Sequence, residues 1–139
     1  MASFFSKKCE YGLQAVIYLA SKQENRLSSA KEISEELNIP KEFISKILQD
    51  LTDKGIIFSR KGRDGGFKLA INADEIKLID IIKAVDGLDI FKRCILGFHN
   101  CKNFKKCFLQ DEWQNILNQT YNMLSNETVG NFRERIYNT

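Results

Sequence analysis

The stretch from Ser29 to Ile71 leaves this chain few folds to choose from. It opens on Ser29-Ala30-Lys31-Glu32, a capping-box pattern in which the serine hydroxyl accepts from the third amide and the glutamate reaches back to the cap amide. Ile33 and Leu37 give the short helix that follows one apolar edge. Asn38-Ile39-Pro40 breaks it, and Pro40 suits the first position of a second helix, where its missing N–H costs nothing. In that second helix Ile44, Ile47, Leu48 and Leu51 fall on one face, and Lys41, Glu42, Ser45, Lys46 and Gln49 on the other. Gly55 reads as its left-handed stop. Two short strands come next, Ile56 to Arg60 and Phe67 to Ile71, joined by Lys61-Gly62-Arg63-Asp64-Gly65-Gly66. Phe67, Leu69 and Ile71 alternate to one side.

Helix, tight turn, helix and a basic glycine hairpin is the order of a winged helix-turn-helix. The fold class expected is therefore mainly α with a small β-hairpin wing. The second helix (about 40–54) would offer Lys41, Glu42, Ser45 and Lys46 to the major groove of double-stranded DNA. The wing (about 56–71) carries Arg60, Lys61 and Arg63 at its tip, placed for phosphates or the minor groove, while Gly65 and Gly66 let backbone approach backbone. The competing reading is a solvated helix face and a solvated hairpin. Cations clustered on a glycine tip favour DNA.

The flanking segments extend this unit. From Ser6 to Gln23, Cys9, Leu13, Val16, Ile17 and Ala20 keep the spacing of one helical face, with Ser6 as cap. Lys7 and Lys8 sit at that helix start, where cations oppose the helix dipole, so a DNA phosphate is a candidate partner for them, with two solvated lysines as the equal alternative. Leu78, Ile81, Ile82 and Val85 make a short amphipathic helix stopped by Gly87. Between Asp89 and Lys106 no period holds. Leu109, Trp113, Ile116, Leu117, Thr120 and Leu124 then resume helical spacing, with little local core in view, so this long C-terminal helix is expected to be a homodimer seam through Leu109, Trp113, Ile116, Leu117 and Leu124, the alternative being that it folds back on its own domain. Thr128 to Tyr137 suggests one more short helix. Three regions result: a DNA-binding domain over 1–87, a cysteine loop over 88–108, and a dimerisation helix with the C-terminal segment over 109–139.

Composition narrows the function. In 139 residues, 43% are hydrophobic and 28% charged, which suits one domain with a real core plus an oligomerisation arm. The net charge of +3 permits nucleic-acid binding without implying it. No secretory signal and no membrane-spanning run is evident, so a cytoplasmic protein is expected. Four cysteines there lean towards metal or redox chemistry rather than a disulfide framework. One histidine, no phosphate-binding loop and no nucleophile–base pair argue against an enzyme.

Cys94, Cys101 and Cys107 are separated by six and then five residues, wider than the close pairs of zinc ribbons. Thiolates at such spacing can wrap an iron–sulfur cluster. From Lys92 to Cys107 there are five basic residues and no acid, which favours the ligating thiolate form. The rival readings are three ordinary thiols, a thiol switch, or zinc on Cys94, His99, Cys101 and Cys107. A redox protein with no DNA role is a further alternative that the basic wing speaks against.

Taken together these motifs resemble the Rrf-type family of bacterial winged-helix regulators, which includes IscR- and NsrR-like proteins. The resemblance covers nearly the full length. It rests on Cys9-Glu10-Tyr11-Gly12-Leu13-Gln14-Ala15, on Ile39-Pro40-Lys41-Glu42-Phe43-Ile44-Ser45-Lys46-Ile47-Leu48, on the wing Arg60 to Leu69, on Ile81 to Gly87, and on the three loop cysteines followed by Trp113. It implies a homodimeric transcription factor that binds promoter DNA and carries an iron–sulfur cluster, 2Fe-2S in the first place and 4Fe-4S as the alternative. Three cysteines and one other residue would hold that cluster. Some members use a histidine three residues past the last cysteine, where this chain has Gln110; others offer a carboxylate from the partner's first helix, where this chain has Glu10. Glu10 of the partner subunit is thus the expected fourth ligand, with Cys9 and His99 as competitors. The first cysteine gap is one residue longer than the family's usual five.

Overall fold

A computed structural model of the chain describes residues 4–98 and 107–133. Helix α1 (Lys7–Ala20) leads into α2 (Ala30–Leu37) and α3 (Lys41–Asp53), then the strands β1 (Ile57–Arg60) and β2 (Gly66–Leu69), and the helices α4 (Leu78–Val85) and α5 (Gln110–Asn126). Single 3-10 turns occupy Ala73–Glu75, Asp89–Lys92 and Val129–Phe132. This is a winged helix-turn-helix with a long C-terminal helix, as the sequence led us to expect.

Local chemistry fixes the boundaries. The Ser6 hydroxyl accepts from the Cys9 amide at 3.0 Å and starts α1. That same hydroxyl donates to Asp86, at the end of α4, at 2.6 Å, so one serine ties two helix ends together. The Ser29 hydroxyl accepts from the Glu32 amide at 3.0 Å. Glu32 does not complete the expected capping box. Its carboxylate accepts instead from the Tyr18 hydroxyl at 2.6 Å and from the Arg26 guanidinium at 3.2 and 3.0 Å. A charged donor and a phenol offer more than one backbone amide. Burial raises the Glu32 carboxyl, but the donors prevail and hold it below the usual range. Burial and Glu32 together push the Tyr18 hydroxyl well above the ordinary phenol value.

Asn38 ends α2 in the left-handed conformation, with φ 56°. Pro40 is the cap of α3 rather than its first residue, and its carbonyl accepts from Ile44 at 3.1 Å. Gly55, with φ 80°, stops α3 as expected. The strands pair antiparallel, with Ile57 opposite Leu69 and Arg60 opposite Gly66. Ile71 lies beyond the end of β2 and is exposed, so the expected alternation holds only for Phe67 and Leu69. A third edge was not foreseen. Ser28 bridges Phe67 through two backbone hydrogen bonds of 2.9 and 2.8 Å.

Two apolar clusters make the core. The larger joins α1, α2, α3, β1 and α4 through Val16, Ile33, Ile44, Ile47, Leu48, Leu51, Ile57 and Ile81. The smaller holds Cys9, Ile79, Ile82, Phe91, Leu117 and Leu124, with Trp113 packed against it. Leu117 and Leu124 are therefore buried inside this chain, which corrects the expectation that they face a partner. Each stabilises the fold by about 1.5–3 kcal/mol through burial. The helix periodicity was right, but the 3-10 turn Asp89–Lys92 and α4 supply a local cover that the sequence did not reveal. The second apolar row of α5, one residue back, stays on the surface: Ile116 is 52% exposed and Met123 58%, with Leu109 also exposed. The 3-10 turn Val129–Phe132 returns the chain to the main core, where Val129 is buried and its amide donates to the Ile76 carbonyl at 2.8 Å. The rest of the segment expected as a final helix lies outside the described residues.

Gly66 sits at φ 152°, and a side chain there would meet the Ser28 carbonyl oxygen at 2.8 Å. Gly66→Ala is expected to cost about 2 kcal/mol through backbone strain, read as a lower midpoint in urea unfolding. An unchanged midpoint would show that the Ser28 bridge does not hold the wing.

A basic reading face and a thiol cavity

The apolar positions of α3 are consumed by the core. Ile44, Ile47, Leu48 and Leu51 are all buried. What remains outward is Lys41, Glu42, Ser45, Lys46 and Gln49, every one exposed. The face the sequence marked for base reading is thus free to enter a groove. At the wing, Arg60, Lys61 and Arg63 are exposed on a turn closed by the Gly65 amide donating to the Gly62 carbonyl at 3.1 Å. Gly62 has φ 107°, and a side chain on Gly65 would collide with the Arg60 carbonyl. The tip can therefore be tight only with glycine there. Among the described residues the ion pairs are Lys7–Glu10, Lys8–Asp50 and Arg26–Glu32, so none of the reading-face or wing cations is neutralised in this way.

Lys7 remains largely exposed, whereas Lys8 has a partner within the chain. Lys8 Nζ lies 2.7 Å from the Asp50 carboxylate, which braces α1 against α3. The hydrogen bond from Lys8 holds the Asp50 carboxyl below its usual range. Lys7 reaches Glu10 at 3.4 Å and lies 5.8 Å above the Tyr11 ring. Tyr11 in turn contacts Phe43, ring centroids 6.4 Å apart. Phe43 belongs to the outward part of α3 and is 54% exposed. It sits at the boundary between the apolar and polar arcs of α3 and so belongs to neither face of the periodic pattern.

Cys94 and Cys107 line a single cavity of about 200 Å³, together with Lys92, Arg93, Phe98, Gln110 and Trp113. The two thiols are half-buried. The Trp113 indole donates to the Arg93 carbonyl at 2.7 Å and latches the start of the loop onto α5. At the two rims, Gly97 donates to the Cys94 carbonyl and Gln110 to the Cys107 carbonyl, both at 3.1 Å. Cys101 and His99 lie outside the described residues. Among the described residues no group of three or more His, Cys, Asp or Glu side chains stands ready for a metal ion. Glu10 is half-buried on α1 and does not line this cavity of its own chain. Cys9 is enclosed in the smaller core. Burial, then Asp86 and Glu10, push its thiol up to about 12.

A cation-bearing reading helix, a glycine wing and a packed first helix define a winged-helix DNA-binding regulator. The sequence matches the Rrf2 family model, described as iron-dependent transcriptional regulator, over residues 5–134, and the chain belongs to that family. It is 32% identical over 127 residues to a protein of Aquifex aeolicus (strain VF5) whose name is that of an HTH-type transcriptional regulator, covering 90% of this chain and 88% of that protein. A crystal structure of Staphylococcus aureus CymR superposes with a TM-score of 0.75 at 28% identity, covering 93% of this chain and 97% of that one. An oxidized form of that protein has also been solved. IscR of T. potens shares the fold, with a TM-score of 0.75 at 22% identity, covering 96% of this chain and 88% of that one. The chain is thus a DNA-binding transcriptional regulator and not an enzyme. No helix among its described residues is long and apolar enough to cross a membrane.

Proposed function

We propose that this regulator works as a cytoplasmic homodimer whose affinity for promoter DNA depends on an iron–sulfur centre. Cys94, Cys101 and Cys107 would hold it, with Glu10 of the partner subunit as the fourth ligand. The observation that carries this reading is that Cys94 and Cys107, at the two ends of the loop, line one cavity beside the cations Lys92 and Arg93. Cysteine thiolates are the usual ligands of iron–sulfur clusters, so the residues fit such a group. When bound, an iron–sulfur centre supplies a redox-active and nitric-oxide-sensitive group whose presence reports iron–sulfur status. The family description as iron-dependent supports the same reading.

The exposed row of Leu109, at the cap of α5, and Ile116 and Met123 within it repeats every seven residues and supports pairing with the same helix of a second copy. The seam then lies beside the row formed by Leu117 and Leu124, not on it. Within each chain, α1 connects the fourth ligand to the reading helix. Glu10 is two residues from Lys8, which grips Asp50 of α3, and next to Tyr11, which contacts Phe43. A change in how Glu10 is held thereby alters the pose of α3. Two reading helices must match half-sites about 34 Å apart, so small changes in pose count. A coupling of roughly 1–3 kcal/mol changes affinity about 5- to 150-fold. Lys41, Glu42, Ser45 and Lys46 then meet base edges, and Arg60, Lys61 and Arg63 meet phosphates.

A second reading keeps DNA binding and uses the loop cysteines as a thiol switch or, with His99, a zinc site. The solved oxidized form of S. aureus CymR favours the thiol version. Iron and sulfide counts separate the three, since only the cluster contains both.

Glu10→Ala is expected to shorten the lifetime of the visible absorbance of anaerobically prepared protein while sedimentation still reports a dimer. Unchanged absorbance and lifetime would remove Glu10 from the site. Arg63→Ala is expected to reduce the slope of log affinity against log salt by about one unit. If both slope and affinity stay put, the wing does not contact the backbone.

A further inference from the structure

Phe43 poses a question that the charged residues of α3 do not. The helix has already delivered its full apolar share to the core through Ile44, Ile47, Leu48 and Leu51. Phe43 adds nothing comparable, for it remains 54% exposed in the first turn of the helix. A single exposed ring is ordinary on a protein surface; what sets Phe43 apart is its place in the first turn of α3, on the side that also presents Lys46. Its surroundings are polar and largely basic. Glu42 precedes it, Lys46 is its neighbour one turn on, and its ring contacts Tyr11, which itself lies under Lys7. A partner that meets this surface must accept an apolar group while satisfying cations on either side.

The major groove of DNA meets that demand at one base. Thymine presents a C5-methyl group beside its O4 acceptor, and no other unmodified base offers an apolar group there. Residues in the first turn of a reading helix are the ones that reach base edges. The Tyr11 ring, 6.4 Å away at 52°, limits where the Phe43 ring can go, so less freedom is lost on contact. We propose that Phe43 is a specificity-determining residue that reads thymine methyl groups in the operator, with Tyr11 as its positioning residue. This rests on α3 being the helix that enters the major groove, but it does not depend on the iron–sulfur centre. Lys41 and Lys46 supply attraction that most sequences satisfy; Phe43 supplies a preference.

The test begins with duplexes selected from a random pool by the wild-type protein. Each thymine is then replaced by uracil, which keeps the pairing and O4 and removes only the methyl. Wild-type protein should lose about fourfold in affinity for each contacted methyl removed, the value carried by one buried methyl group. Phe43→Ala should bind the selected duplexes more weakly and be indifferent to uracil at those same positions. Phe43→Leu, which keeps an apolar tip, should retain part of the discrimination. Because Phe43 is exposed, thermal melts of both variants should match wild type. The proposal is overturned if no thymine is sensitive in the wild-type protein, or if Phe43→Ala keeps the wild-type sensitivity. A second copy of the chain covering Phe43 instead would appear as weaker dimerisation of Phe43→Ala with an unchanged uracil profile, and this too overturns it. If the pool yields no preferred duplex at all, the assignment of α3 as the reading helix fails first. That result is distinct from a selected duplex without methyl sensitivity.

Discussion

Helix α1 is gripped from several sides, and the rest of the chain is arranged around that grip. At Gly12 a side chain would already stand 3.2 Å from Val85 of α4 and 3.6 Å from Ile47 of α3, so three helices meet where one has no side chain. One turn on, Ala15 and Val16 are fully buried in the larger core, while Cys9, one turn back, is buried in the smaller one. The Lys8–Asp50 pair and the Ser6–Asp86 hydrogen bond lock the same helix to α3 and α4 from the polar side. Close-packed interiors have no slack for one helix to move alone. Whatever holds the first turn of α1 therefore has mechanical access to α3.

Much of this was legible in the sequence because it follows from periodicity and capping. The apolar face of α3, the serine caps, the left-handed Gly55 and the glycine wing are all local features, and local features survive folding. What failed was non-local. Glu32 has the right spacing to close a capping box, yet Tyr18 and Arg26, brought in from elsewhere, take its carboxylate. Lys8 reads as a solvent or phosphate contact until Asp50 arrives beside it. On α5 the period identified an apolar face but not what covers it. The row through Leu117 and Leu124 belongs to the chain's own core, and the row through Ile116 and Met123 is left outside.

The cysteine loop divides in the same way. Its lack of any period was visible, as was its run of cations. That the loop starts and ends on one cavity depends on the Trp113–Arg93 latch and on the packing of Phe91 beneath α5, neither of which spacing reveals. The latch brings Cys94 to Cys107. The same helix, α5, lines that cavity with Gln110 and Trp113 and carries the exposed Ile116 and Met123.

The most direct measurement is a pair of DNA-binding isotherms on one preparation purified without oxygen, before and after removal of iron by a chelator, with iron and sulfide counted in both samples. Coupling between the thiol site and the reading helix predicts both iron and sulfide in the first sample and at least a fivefold difference in affinity for a selected duplex between the two. Iron-free protein from the outset, or two superimposable isotherms, would contradict it.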